Sequence, residues 1–431
     1  METPYPYQLR AYEAIKRGRS IIIQAPTGAG KTRAALYPYF ANLKRAEHLT
    51  DTQRAGLSLP LTCRYAVPMR VLATQFQREY SEHFARLDQS RGTRFNDTYS
   101  KLGISLPAIQ TGEAPEDTLF ESPLTFCTID QLLASFIGAP YSVSPRQANL
   151  NVGAIVGSYL ILDEFHLYPV EKGNGARLTS LAMLRMLRQF SPFVLMTATL
   201  STKFLAALAE QLDADVIQVD SEELRTIHAG RARTLFRSEA PMTADTIIER
   251  HADAHARGMG ASLVVCNTVA RAQNIYLELR KVLSGNRDIP PPQVMLLHSR
   301  FTSEDRRAKS ERLETWLGKE TWGSDAHPNV IVVATQVVEV GLNISAGVLH
   351  TELAPANALI QRFGRCARFA QQQGDVAVYP IPAGDNGKVL YLPYDAKLCE
   401  ATWNYLEQLL PDAADGTSFG FAEEQKLIDA V

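Results

Sequence analysis

Short runs in which nearly every position is apolar or β-branched recur along this chain, each followed by a stretch whose apolar residues return at helical spacing. They are Ile21-Ile22-Ile23, Cys63-Arg64-Tyr65-Ala66-Val67, Leu124-Thr125-Phe126-Cys127-Thr128, Ser158-Tyr159-Leu160-Ile161-Leu162 and Phe193-Val194-Leu195-Met196. Runs without apolar-polar alternation describe strands buried on both faces, and strands alternating with helices describe a parallel, doubly wound α/β sheet. The pattern then starts again with Ser262-Leu263-Val264-Val265-Cys266, the run 293–297 and Val330-Ile331-Val332-Val333-Ala334. Two tandem α/β domains are therefore predicted, over residues 1–222 and 223–384, followed by a tail over 385–431 that carries a helix near 401–410. The polar, non-periodic stretch 222–244, which contains Pro241, reads as the crossing between domains, and the interval 88–101 as a surface insertion.

Composition narrows the class without naming it. A chain of 431 residues with 45% hydrophobic content exceeds what one core usually takes. It has no apolar run of membrane length and no basic segment followed by an apolar one at its start, so neither a membrane partner nor a secretory signal is expected, and the setting reads as cytoplasmic. Five scattered cysteines without C-x-x-C pairs read as buried, reduced thiols. A net charge of −2 does not advertise nucleic-acid binding, so a basic footprint would have to be confined to a groove.

Candidate chemistry concentrates where the predicted strands end. After the first run, Ala25-Pro26-Thr27-Gly28-Ala29-Gly30-Lys31-Thr32 leads into helix-favouring residues. Gly28 and Gly30 allow a tight loop whose N–H groups point at a polyphosphate beside a helix N-terminus; Lys31 adds a charged donor, and Thr32 offers a hydroxyl to a magnesium ion. Just upstream, Gln8 either reads the adenine edge with its carboxamide or is a solvated side chain. The run 158–162 delivers Asp163-Glu164-Phe165-His166, where Asp163 would hold magnesium through water and Glu164 would orient and deprotonate the attacking water. His166 is placed to hydrogen-bond across to Thr197-Ala198-Thr199-Leu200. Other strand ends carry polar residues suited to a nucleic-acid backbone: Arg70, Thr111, Gly112 and Thr128 in the first half, Asn267, Thr268, Ser299, Arg300 and Thr335 in the second. The segment 360–368 reads as a solvated basic helix face or, in a two-domain ATPase, as a source of Arg365 and Arg368 for the γ-phosphate. His251 and His255, at i, i+4, form the sole local histidine pair and read as a solvated face rather than a metal site.

The ordered set A-P-T-G-A-G-K-T, D-E-F-H, T-A-T-L, T-Q-V-V-E-V-G and Q-R-F-G-R-C-A-R resembles a superfamily 2 helicase core over about residues 5–380. Within that superfamily F-C-T-I-D-Q-L-L, L-D-E-F-H and V-V-C-N-T-V resemble the helicase part of the CRISPR-associated helicase-nuclease of type I interference. The resemblance implies two RecA-like domains with an ATP cleft between them, ATP and Mg2+ as cofactors, Gln361 among the catalytic residues, and Gly341 and Asn343 near the nucleotide. It further implies 3′ to 5′ movement on single-stranded DNA after recruitment by a crRNA-guided surveillance complex. Asn343 stands where that family usually has an aspartate. No adjacent His-Asp pair occurs, so nuclease activity is expected from a separate subunit. Another superfamily 2 enzyme, acting on RNA or on double-stranded DNA, is the main alternative; a non-enzymatic nucleic-acid-binding module is the other.

Overall fold

In the computed structural model, which describes residues 3–46, 48–90, 107–169, 175–227, 230–285, 291–322, 328–339, 341–384, 387–412 and 415–431, the chain divides into two units, Met1–Glu223 and Leu224–Val431. The first is built on a seven-stranded sheet of Ile21–Gln24 (β1), Cys63–Val67 (β2), Ala108–Gln110 (β3), Leu124–Thr128 (β4), Tyr159–Leu162 (β5), Phe193–Thr197 (β6) and Asp215–Gln218 (β7). Their spatial order is β3-β4-β2-β5-β6-β1-β7, and every pairing is parallel. β1, β2, β4, β5 and β6 bury all their residues, as the unalternating sequence runs require of strands covered on both faces. Ile22, Leu160, Leu162 and Leu195 pack on one face against Met183 and Leu184 of the helix Ala176–Leu187 and Leu205 and Leu208 of the helix Thr202–Leu212.

The second unit holds Ala232–Arg237 (β8), Ala261–Val265 (β9), Gln293–Leu297 (β10), Val330–Ala334 (β11), Val348–Glu352 (β12), Gln373–Tyr379 (β13) and Thr417–Ser418 (β14), in the order β10-β11-β9-β12-β13-β8-β14. Adding seven to each strand number of the first sheet gives the second, so the two units are wound alike. They differ at one edge, where β14 runs antiparallel to β8.

The stretch read as a crossing between domains is more than a linker. It contains the helix Ser221–Ile227 and β8, an inner strand of the second sheet. β8 escaped notice because its sequence A-R-T-L-F-R is half polar and only Leu235 and Arg237 are buried. The tail likewise belongs to the second unit: Leu406, Leu410, Phe419 and Leu427 join Leu263, Val332 and Phe363 in one core. All five cysteines are free and buried. Beyond residue 90 the interval read as an insertion lies outside the described residues. Among the described residues no helix is long and apolar enough to cross a membrane.

Candidate nucleotide and nucleic-acid sites

The phosphate loop sits between β1 and the helix Lys31–Ala46. Gly28 and Gly30 have φ of +80° and +81°, a left-handed conformation that side chains with a Cβ rarely adopt. Gly30 is constrained twice, since a Cβ there would stand 2.8 Å from Gln8 Nε2. Lys31, 7% exposed, folds back over the loop and donates to the carbonyls of Ala25 (3.1 Å) and Pro26 (3.4 Å). The helix Pro6–Lys16 braces the loop from outside: Tyr7 Oη donates to Ala29 O at 2.6 Å and Gln8 Nε2 to Gly30 O at 3.1 Å, while Gln8 Oε1 accepts from Tyr5 N–H. Gln8 therefore lies against the loop backbone, with both ends of its amide in use. Thr27 and Thr32 are partly exposed and Ala29 is buried.

β5 places Asp163 beside that loop because β5 lies between β2 and β6, and β6 pairs with β1. Asp163 N–H donates to Ala66 O at 2.9 Å, continuing the β5–β2 ladder by one residue. Burial first, and then the neighbouring Glu164 carboxylate, push the Asp163 carboxyl up to about 7; Lys31 and a hydrogen bond from Tyr65 work against them. Glu164 sits in the left-handed region at φ +48°, a strained position for a residue with a side chain and one that turns it away from the strand direction. Its N–H donates to Asp163 Oδ1 at 2.8 Å, and its Oε2 lies 3.5 Å from His166 Nδ1. That same nitrogen is 3.1 Å from Thr197 Oγ1, the link to the next motif expected of His166. Burial lowers the His166 pKa to about 4, so the imidazole is neutral near pH 7.

Hard oxygen donors, one hydroxyl and one buried carboxylate, converge where a phosphate-bound divalent cation would lie. They suit Mg2+, with Thr32 and Asp163 as the residues that would hold it. Sequence reasoning missed the residue between them: Tyr65 Oη on β2 is 2.6 Å from Asp163 Oδ2 and 3.4 Å from Thr32 Oγ1. A tyrosine inside an apolar strand reads as core, and nothing in the pattern singles it out.

In the second unit the arginine-rich segment is neither solvated nor uniform. Arg362, fully buried, spends all five of its N–H groups. Nε donates to Glu339 Oε1 (2.8 Å), Nη1 to Thr351 Oγ1 (2.8 Å) and Glu352 O (3.0 Å), and Nη2 to Asn267 Oδ1 (3.0 Å) and Tyr394 Oη (2.8 Å). Arg365 donates from Nε to Val338 O at 2.8 Å and from Nη2 to Glu339 O, leaving Nη1 buried without a partner. Arg368 is less buried and anchored through its N–H to Ser345 Oγ. Gln361 is 3% exposed, Gly341 has φ +85° and Asn343 is exposed.

The candidate nucleic-acid residues gather at one sheet end in each unit. In the first, Arg70 follows β2, Thr111 and Gly112 follow β3, and Thr128 ends β4, three adjacent strands. Arg70 is exposed, flanks Gly112 and pairs with Glu113. Thr111 is 2% exposed and its hydroxyl accepts from Ala114 N–H, and Thr128 is also 2% exposed, so neither hydroxyl faces solvent. In the second unit Ser299 and Arg300 are exposed and Thr268 partly so, whereas Thr335 is buried. Asn267 corrects the sequence reading. Its Nδ2 donates to Leu353 O (2.7 Å) and its Oδ1 accepts from Arg362, so the whole amide belongs to the interior network.

One histidine needs a correction as well. His251 is 4% exposed rather than solvated, with Nδ1 at 2.8 Å from Ser262 Oγ and Nε2 at 2.8 Å from Asn329 Oδ1, so both nitrogens are engaged. His350 lies in the middle of β12, fully buried, with Nδ1 at 3.0 Å from Tyr379 Oη. His228 and His327 lie outside the described residues.

The family comparisons divide the chain along the same two units. Residues 5–208 match the DEAD/DEAH box helicase family, and residues 258–371 match the C-terminal part of the CRISPR-associated nuclease/helicase Cas3. The first half of the chain thus resembles the DEAD/DEAH box helicases, and the second resembles the C-terminal part of Cas3. A putative CRISPR-associated nuclease/helicase Cas3 of Methanocaldococcus jannaschii is 26% identical over 424 residues, covering 94% of this chain and 51% of that one. The CRISPR-associated helicase Cas3 of Thermoproteus tenax is 26% identical over 438 residues, covering 98% of this chain and 65% of its own. This chain thus spans between about half and two thirds of these relatives. The fold superposes on the crystal structure of T. fusca Cas3 with ATP at a TM-score of 0.73 and 20% identity, covering all of this chain and 52% of that one. A CRISPR RNA-guided surveillance complex in a pre-nicking state gives 0.66 at 19% identity, over 99% of this chain and 50% of the matched one.

Proposed function

We propose that this chain is an ATP-driven motor that moves 3′ to 5′ on single-stranded DNA in type I CRISPR interference, recruited by a crRNA-guided surveillance complex, with a nuclease supplied by another chain. The observation that carries the reading is the pair of strand tips at β1 and β5, which flank β6: Lys31 folds over the phosphate loop, Glu164 N–H donates to Asp163, and Tyr65 Oη links Asp163 to Thr32. In this reading Lys31 leaves the loop carbonyls for the β- and γ-phosphates, and the N–H groups of residues 28–32 receive the phosphate oxygens. Glu164, aimed by its left-handed backbone, positions the attacking water and takes its proton. Magnesium, when bound, neutralises phosphate charge between Thr32 and Asp163. Arg365 adds a donor for charge that develops in the transition state. Arg70, Gly112, Ser299 and Arg300, exposed at strand ends, and the partly exposed Thr268 take the DNA backbone. The separate nuclease accords with His251, whose two ring nitrogens are already spent inside the fold.

The test compares ATP hydrolysis with single-stranded DNA, single-stranded RNA and duplex DNA, in wild type and Lys31→Ala. Stimulation by single-stranded DNA is expected, along with a loss of about a hundredfold or more in Lys31→Ala without loss of fold, since one preorganised charged donor is removed. A folded Lys31→Ala protein with near-normal turnover sinks the ATPase reading. Preferential stimulation by RNA moves the chain to the alternative class. R-loop DNA incubated with the protein, ATP and magnesium, manganese, nickel or cobalt should be displaced with its strands intact.

A further inference from the structure

Tyr65 is the one polar tip sent into the nucleotide site from the apolar interior of β2. Its side chain is fully buried, and the ring packs against Phe76 (centroids 5.3 Å apart, edge-on) and Phe126 (5.2 Å). Phenylalanine would fill that aromatic cluster equally well without bringing a hydroxyl into the core, where an unsatisfied one is costly. The register explains where the hydroxyl goes. Tyr65 pairs with Ile161 and Ala66 with Leu162, so the Tyr65 side chain stands beside the end of β5 from which Asp163 projects. Both oxygens of the Asp163 carboxylate are thereby held: Oδ1 by the N–H of Glu164 at 2.8 Å and Oδ2 by the O–H of Tyr65 at 2.6 Å. The phenolic oxygen is also 3.4 Å from Thr32 Oγ1, so one hydroxyl touches both residues that would hold the cation.

We infer that Tyr65 is a positioning residue for the divalent cation: its hydroxyl fixes the Asp163 carboxylate and the Thr32 hydroxyl in the orientation that a nucleotide-bound metal requires. Groups that orient metal-holding side chains without touching the metal typically account for about 10- to 100-fold in metal affinity or activity. The inference rests on the nucleotide-site reading above and deepens it.

The experiment titrates Mn2+ into protein mixed with a fluorescent non-hydrolysable ATP analogue, reading nucleotide fluorescence and the electron paramagnetic resonance of free Mn2+, for wild type, Tyr65→Phe, Asp163→Ala and the double variant. Tyr65→Phe should raise the Mn2+ midpoint about 10- to 100-fold, leave metal-free nucleotide binding within about twofold, and recover much of its ATP turnover at high metal. In the Asp163→Ala background the same change should have little further effect, because Tyr65 acts through that carboxylate. An unchanged midpoint in Tyr65→Phe overturns the inference. So does an equal loss of metal-free binding, or a variant that no longer folds, since either makes the hydroxyl structural. If wild type itself shows no metal-dependent nucleotide binding, the nucleotide-site reading has failed instead.

Discussion

Arg362 and Arg365 lie a few residues apart, yet one is a spent charge and the other keeps a donor in reserve. Removing Arg362 would leave Glu339 buried without its counter-ion and take a donor from four further acceptors. Arg362→Ala should therefore destabilise the second unit by about 3–5 kcal/mol, measured by urea denaturation. Arg365→Ala removes a side chain whose Nη1 no protein atom uses. It should cut ATP turnover by about a hundredfold and change nucleotide affinity far less, because its contribution arises as charge develops. Comparable losses of binding and turnover would place Arg365 in the ground-state site. Sequence alone could not separate these two roles, since both residues read as members of one basic motif. Lys31, Asp163 and Glu164 were legible because a β-branched run, a glycine loop and an apolar strand with an acidic end each leave a local signature. Asn267 and Tyr65 were not: what an amide or a phenol touches depends on the neighbouring strand, and strand neighbours are far apart in sequence.

Strands buried on both faces announced themselves by lacking alternation, and β1, β2, β4, β5, β6, β9 and β11 all fall on runs that the sequence marks as strands. β7 and β8 went unread because edge positions and a half-polar face dilute the apolar signal. β12 carries a different surprise, an imidazole in mid-strand with no solvent access. Burial lowers the His350 pKa to about 3, and Nε2 has no partner. An unfolded histidine takes up a proton below about 6.5, whereas the folded one stays neutral until about 3. Across that window protonation favours the unfolded chain, so stability falls with falling pH, by at most about 1.4 kcal/mol per pH unit for this group. The tryptophans are Trp316, Trp322 and Trp403, all in the second unit, so their fluorescence during urea unfolding reports this unit alone. Its denaturation midpoint should drop between pH 7 and pH 5, and His350→Leu should flatten the slope; an equally steep slope in the variant would assign the effect to other groups.

At the scale of the molecule, two sheets of the same winding carry different strand tips, a phosphate loop after β1 and none after β8. The second sheet is completed by the tail, which supplies Tyr394 to Arg362, apolar residues to the core and β14 to the outer side of β8. β14 is only two residues long, but its fit is close, since a Cβ on Gly416 would come within 2.5 Å of the Phe236 and Thr234 side chains. This strand therefore acts as a built-in stopper. Without it, β8 would present a row of unpaired N–H and C=O groups, the template by which one chain recruits a strand from another. A chain ending at Leu410 should self-associate in a concentration-dependent way, visible by light scattering after size exclusion, while Gly416→Val should do so more weakly by prising the stopper loose. A truncated chain that stays monomeric at high concentration would show that β8 is guarded by some other means. Self-association of the truncated chain would make the tail a seal against polymerisation as well as a brace for the second unit's arginines.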